Sequence, residues 1–172
     1  MRKLALAALL LAACHRAQVP REQFLLRLDG PWQTPRALEG EHIRSAPATI
    51  VYFRDDHEYF ELHFTVIEQN DEALYISSNL PHASALGTWR QNGETVEVAR
   101  KRISRADVAR FLCAPVTFHI SGHSVTGDTS GTGEGMYAPV TRLVAPDFDT
   151  YLKEAHESRF VCPGVKQSTG GS

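Results

Sequence analysis

Glu58-Tyr-Phe-Glu-Leu-His-Phe-Thr-Val-Ile-Glu-Gln69 decides the fold. Phe60, Leu62, Phe64 and Val66 alternate with Tyr59, Glu61, His63 and Thr65. A period of two belongs to a β-strand, whose successive side chains point to opposite faces. The alternation predicts one core face, carried by the Phe60 set, and one largely wet face. The run before it, Ala48 to Arg54 (ATIVYFR), is β-branched and aromatic, and Asp55-Asp56-His57 separates the two. Together they predict a hairpin whose aspartates hold the turn by accepting hydrogen bonds from nearby backbone.

The same grammar continues on both sides. Ala73 to Ser78 predicts a strand, and Asn92-Gly93 before Glu94 to Arg102 predicts a hairpin through a type I′ turn. Pro115 to Ser121 and Ser124 to Asp128 flank Gly122-His123 as another hairpin, and Met136 to Val144 is a last strand with Pro139 at an edge or bulge. Glu22 to Asp29 fits either a helical turn or a strand. Ser104-Arg105-Ala106-Asp107 has capping-box spacing, and Val108, Phe111 and Leu112 predict a short helix packing one face. Phe148, Tyr151, Leu152 and Ala155 form the stripe of a C-terminal helix. About eight strands in up-and-down order, without βαβ alternation, predict a mainly β protein, a small antiparallel barrel with one short internal helix and one C-terminal helix.

The N-terminus carries a different signal, MRKLALAALLLAAC. Arg2 and Lys3 precede an apolar run from Leu4 to Ala13. Ten residues is about half the roughly 20 a helix needs to span a bilayer, so an export signal is expected rather than a transmembrane helix. Leu11-Ala12-Ala13-Cys14 resembles the lipobox of bacterial lipoproteins. The resemblance implies cleavage of residues 1–13, acylation of Cys14 as a palmitate-type membrane anchor, and a tether over 14–22. His15, in place of Asp, implies sorting to the outer membrane with the domain facing the periplasm. A domain over 23–162 and a disordered tail over 163–172 complete the expected organisation.

Loss of Arg2 and Lys3 leaves 16 basic and 20 acidic residues, a net charge of −4, which does not suggest a nucleic-acid binder. With Cys14 acylated, Cys113 and Cys162 remain as a pair in a compartment where disulfides persist, and they are expected to bond.

Gly30-Pro31-Trp32 resembles the G-x-W of lipocalin-like barrels, and Gly87-Thr88-Trp89 repeats it, as in small barrel lipoproteins of the copper-homeostasis and surface-sensing type. The resemblance implies that Trp32 closes one barrel end beneath Arg142 of the last strand. The chain lacks the C-x-x-C that the copper-homeostasis type carries near its mature N-terminus.

Phe60, Leu62, Phe64, Val66, Val116, Phe118 and Ile120 are expected to line the interior, as a packed core or an apolar ligand pocket. His119 and His123, with His57 and His63, are the candidate metal ligands, but a hairpin register sets His119 opposite Thr126. Asp55-Asp56-His57-Glu58 reads as a turn before it reads as a cation site. Gly131, Gly133 and Gly135 form no phosphate loop, and no nucleophile–base motif is present. Arg100-Lys101-Arg102, Arg105 and Arg110 form a basic cluster, either a solvated rim or a contact for lipid headgroups or acidic envelope polymers.

The expected function is a non-catalytic, monomeric, cofactor-free lipoprotein that binds a small apolar ligand. A solid barrel acting as an interaction or inhibitor module, through a loop such as Thr129 to Tyr137, is the second class. Histidine-dependent metal binding is the third.

Overall fold

The computed structural model describes residues 17–34, 43–70, 73–77, 82–121, 124–131, 133–141, 143–144 and 148–164. Eight strands close into an antiparallel barrel: β1 (Phe24–Leu28), β2 (Ile43–Phe53), β3 (Glu58–Gln69), β5 (Ala83–Asn92), β6 (Thr95–Ile103), β7 (Val116–Ser121), β8 (Ser124–Gly127) and β9 (Gly135–Pro139). Closure is made where β9 pairs with β1, Leu25 opposite Pro139 and Leu26 opposite Ala138. Three short strands lie outside the ring: β4 (Ala73–Ile76) on β3, β10 (Leu143–Val144) parallel to β4, and β11 (Phe160–Val161) on β6. A 3₁₀ turn (Ala106–Val108) leads into the one-turn helix α1 (Ala109–Leu112), and α2 (Phe148–Glu157) follows β10.

The strand expected over 58–69 is there, paired with β2 along nearly its whole length, from Phe53–Tyr59 to Ile43–Gln69. Its turn is held as expected: the Glu58 N–H donates to Asp56 Oδ1 at 3.0 Å, and His57 takes positive φ. The β5–β6 hairpin differs by one residue. Asn92 pairs with Thr95, so the loop is Gly93-Glu94, and positive φ falls at Gly93 alone, the II′ pattern with glycine first. Segment 22–29, open in sequence, resolves as β1.

One core cluster takes residues from every barrel strand: Leu25, Val51, Phe53, Tyr59, Trp89, Val96, Val98, Val116, Phe118, Ile120, Val125 and Tyr137. This is the barrel interior. A second cluster joins Ala48, Ile50, Phe60, Leu62, Phe64, Val66 and Leu74 to Tyr151 and Ala155 of α2. The expectation that the Phe60 set lines the interior is therefore corrected. Phe60, Leu62, Phe64 and Val66 face outward beneath α2, whose predicted stripe Phe148, Tyr151, Leu152 and Ala155 covers them. Both faces of β3 are covered, so its alternation marks the period and leaves the phase open. Val116, Phe118 and Ile120 lie inside as expected.

The barrel ends are closed differently. At the upper end, near the β2–β3 and β5–β6 turns, Trp89 donates from Nε1 to the Arg54 carbonyl at 3.0 Å, and Arg21 lies 5.1 Å over its ring. Residues 17–22, expected as tether, belong to the domain: Val19 is buried and its N–H donates to Gln91 Oε1 at 3.1 Å. Trp89, not Trp32, thus fills a barrel end. Trp32 packs on the outer cluster under Arg44, 4.7 Å from its ring, because Arg44 stands on neighbouring β2 and is fixed by the buried Glu68 carboxylate. Arg142 lies outside the described residues.

At the lower end Val108, Ala109 and Leu112 pack on Ala85 and Ile103, so the 3₁₀ turn and α1 form a plug. The capping box is not formed. Ser104 Oγ instead accepts from the Ser84 N–H at 2.9 Å, and the cap position is Arg105, without a side-chain cap bond. Phe111 is also off the packed face, 55% exposed. Cys113 and Cys162 are disulfide-bonded across a sequence separation of 49, tying the plug to β11.

A loop of that length is worth about 4 kcal/mol in the chain-entropy model. The double variant Cys113→Ala/Cys162→Ala is expected to lose about that much in urea unfolding, and reducing agent is expected to lower wild-type stability but not that of the variant.

Candidate functional site

The lower half of the barrel holds an internal chain of polar side chains. On β3, residues 59, 61 and 63 share the inward face, and the register carries that layer across Arg27–Thr49 and Thr49–His63. Glu61 is fully buried, and its carboxylate is met from several elements. Oε2 accepts from the Tyr59 hydroxyl at 2.6 Å, from Arg100 Nε at 3.0 Å and from Arg100 Nη2 at 2.7 Å. Oε1 accepts from Arg100 Nη2 at 2.8 Å and from His63 Nε2.

Arg100 reaches this position because β6 alternates inward at Val96, Val98 and Arg100 and then bulges. The register passes from Gly87–Arg100 to Leu86–Arg102, skipping Lys101. The bulge needs a glycine: a Cβ at Gly87 would stand 2.3 Å from the Ala99 carbonyl oxygen. With Glu61 on one side, the guanidinium spends its remaining N–H groups on backbone carbonyls. Nη1 donates to Phe111 at 3.2 Å and Ala114 at 3.1 Å, and Nη2 donates to Thr129 at 2.7 Å. One side chain therefore ties β3, the last carbonyls of the plug and the β8–β9 loop together.

The chain continues to the mouth. Thr49 Oγ1 donates to Asp29 Oδ2 at 2.6 Å and so must accept from His63 Nδ1 at 2.9 Å. Nε2 meets the Glu61 carboxylate, so the ring bridges Thr49 and Glu61. Asp29 Oδ1 lies 3.0 Å from Arg27 Nε, and Arg27 Nη1 donates to the Gly127 carbonyl at 2.9 Å. Gly135 makes room: a Cβ there would come within 2.5 Å of Arg27 Nε. Tyr137 bonds Thr129 Oγ1 at 2.6 Å.

Burial opposes the charge on Glu61, but the facing Arg100, with His63 and the Tyr59 hydroxyl, outweighs it and holds the carboxyl down at about 2. Burial, with the adjacent Glu61 charge, pushes the Tyr59 phenol well up. The Tyr59 hydroxyl and every N–H group that Arg100 directs inward have a carboxylate or carbonyl partner, which fits these groups for holding the barrel end together. None of the Glu61–Arg100 network was singled out in sequence except Arg100, read as part of the basic run, and His63. The available signal was the pair of charges at inward parity in apolar strands, Arg27 in FLLRL and Glu61 in EYFELHF.

The other candidates fall elsewhere. Phe118 stands inside among Phe53, Tyr59 and Tyr137. Phe60, Leu62, Phe64 and Val66 lie under α2. His119 is exposed and opposite Thr126, the register expected for it. His123 and Cys14 lie outside the described residues. His57 stacks on Trp89 at the upper end, away from His63. Among the described residues no three His, Cys, Asp or Glu side chains converge to hold a metal ion. The glycine loop is fixed by Asp128, whose carboxylate accepts from the N–H groups of Ser130, Gly131 and Gly133. Two concavities formed by described residues open on the outer surface. One of about 400 Å³ lies over β5, β6 and β7 near Arg90, Glu97 and Thr117, and one of about 350 Å³ lies beside Phe160 and Glu157.

Fold and site define a closed antiparallel barrel with an ion-paired, side-chain-filled interior. The chain matches no protein-family model, no curated protein and no solved structure.

Truncating one member of a buried pair strands the other, whereas replacing both with apolar groups of similar volume is close to neutral. Arg100→Met is expected to cost about 3 to 5 kcal/mol in urea unfolding, and Arg100→Met/Glu61→Leu to recover most of it. The lowered Glu61 carboxyl sets a pH dependence of known sign. Its stabilisation, roughly 3 kcal/mol, is fully present above the ordinary value of 4.5 and is lost as pH falls from there to about 2. Wild-type stability measured across that window is expected to fall more steeply than that of Glu61→Gln.

Proposed function

We propose that this protein is an envelope lipoprotein, anchored in the bacterial outer membrane through acylated Cys14, whose barrel is a rigid stand and whose outer surface does the work by contacting another envelope component. The observation that supports a surface role is the filling of the interior. Tyr59, Phe53, Phe118 and Tyr137 are fully buried there, the Glu61–Arg100 pair occupies the lower half, and both ends are covered by the chain's own segments. A pocket for a drug-sized ligand needs about 300 Å³ or more of concave, mostly apolar space, and these side chains stand where such a pocket would be.

The loop reading becomes narrower on the same ground. Thr129 and Tyr137, the ends of the loop expected to enter a partner's cleft, are buried and bonded to each other, so only the segment between them is offered to a partner.

Native mass spectrometry of the full chain, expressed with its own signal and purified from membranes, separates these readings. The expected mass is that of residues 14–172 plus acyl groups on Cys14, less two hydrogens for the disulfide, with nothing else attached. A further noncovalent mass of fatty-acid size would restore the apolar-ligand reading. A bare Cys14 would remove the anchor.

A further inference from the structure

The lower end carries an exposed patch that neither the internal network nor α2 uses. Phe111 is 55% and Phe160 is 45% exposed, the two most exposed aromatic side chains of the described residues. Each stands two residues before a disulfide cysteine. Phe160 lies opposite Ile103 in the β11–β6 pair and so shares the face on which the plug sits. Arg110 and Arg159 are their exposed neighbours, and Lys101, the bulge residue, is exposed and bonded through its carbonyl to the Cys162 N–H. Among the described residues no carboxylate pairs with Lys101, Arg110 or Arg159, whereas Arg105 is matched by Asp107 at 2.6 Å. Glu154 and Glu157 line the concavity beside Phe160 and Arg159, but they face His82 and Lys153, which leaves these three cations beside two exposed rings on a chain that is net acidic.

Its position decides what it can meet. Ala17 to Arg21 cover the upper end, at Gln91 and Trp89. Three further residues reach back to Cys14, at most about 10 Å of extended chain. The anchor therefore enters at the upper end, while β6 runs away from it for nine residues, roughly 30 Å of strand, before reaching the patch. Headgroups of the anchoring membrane are on the wrong side.

We infer that the Phe111–Phe160 patch with Arg110, Arg159 and Lys101 is a docking site for an acidic polysaccharide, the inference resting on the anchored reading above. The cations answer carboxylate or phosphate groups spaced along such a polymer, and the exposed rings cover the apolar faces of its sugar units. A rigid, disulfide-braced surface whose concavity, about 350 Å³ beside Phe160 and Arg159, is open along one side suits an extended polymer.

The test uses the full acylated chain in detergent, with oligomers of polyuronic acid as the probe and neutral dextran, polyglutamate and phosphatidylglycerol vesicles as comparisons. Polyuronate is expected to bind with an affinity that falls about tenfold or more on moving from low to physiological salt, with no binding to dextran. Arg110→Glu/Arg159→Glu is expected to abolish binding, and Phe111→Ala/Phe160→Ala to weaken it about tenfold. Arg90→Glu, which reverses an exposed cation near the upper end, is expected to leave it unchanged. Polyglutamate bound as tightly as polyuronate, with no effect of the Phe variants, would overturn the polysaccharide assignment in favour of an acidic protein. Tighter binding to the vesicles through the same arginines would overturn it in favour of lipid. Acylation is read separately from the mass of the N-terminal peptide, so failure of the anchor and failure of the patch are told apart.

Discussion

The ion pair between Glu61 and Arg100 is the constraint around which the rest of the structure is arranged. Both side chains are out of contact with water, at 0% and 1% exposure, and a carboxylate and a guanidinium pay several kcal/mol each for that desolvation. The cost is tolerable only if every lone pair and every N–H is met. That requirement reaches into three parts of the chain: β3 supplies Tyr59 and His63, the plug and the turn after it supply the carbonyls of Phe111 and Ala114, and the β8–β9 loop supplies that of Thr129. The pair therefore defines where the plug and the loop sit. Its contribution is to geometry more than to net stability, since an apolar pair of the same volume would stabilise as well.

The glycines follow from the same crowding. Arg100 turns inward just before a bulge, and the bulge brings the β5 backbone so close to β6 that only Gly87 fits. Phe118 fills the middle of the barrel by lying against the backbone of Gly127, where a Cβ would come within 2.4 Å of its ring. Arg27 crosses the mouth over Gly135. The two glycines that frame the β8–β9 loop thus leave volume for larger side chains, and the two between them, Gly131 and Gly133, take the positive φ that lets Asp128 collect the loop's N–H groups.

What the sequence made legible was period; what it hid was phase. The alternation in 58–69, the α2 stripe, the Cys113–Cys162 pair and the His119–Thr126 register are all local or combinatorial signals, and all are present in the structure. The inward set on β3 is Tyr59, Glu61 and His63 instead of Phe60, Leu62 and Phe64, because α2 covers the outer face and makes it as apolar as a core. Glu61 looks like a solvated residue until its partner 39 positions later is known. Arg100, in turn, sits in the run Arg100-Lys101-Arg102, whose even charge hides that alternation puts the first residue inside and the bulge after it leaves the other two outside. The two G-x-W motifs divide in the same way: Trp89 lies on an inward position of β5, while Trp32 precedes β2 and meets Arg44 outside the ring.

A barrel filled in this manner has two ends of opposite character, and the difference bears on how it works. The upper end is sealed by the chain's own N-terminal segment, which ties any anchor at Cys14 to that side. The lower end is sealed by seven residues of 3₁₀ and α-helix, too short to hold their shape alone. Arg100 fixes them from inside through their terminal carbonyls, and the disulfide fixes them from outside through β11. Side chains mounted on a plug held from both sides lose little conformational freedom when a partner binds, which is the condition under which a small patch of arginine and phenylalanine can bind without a cleft. The buried charge pair, which stabilises no better than an apolar pair would, thus supports the surface we propose for binding.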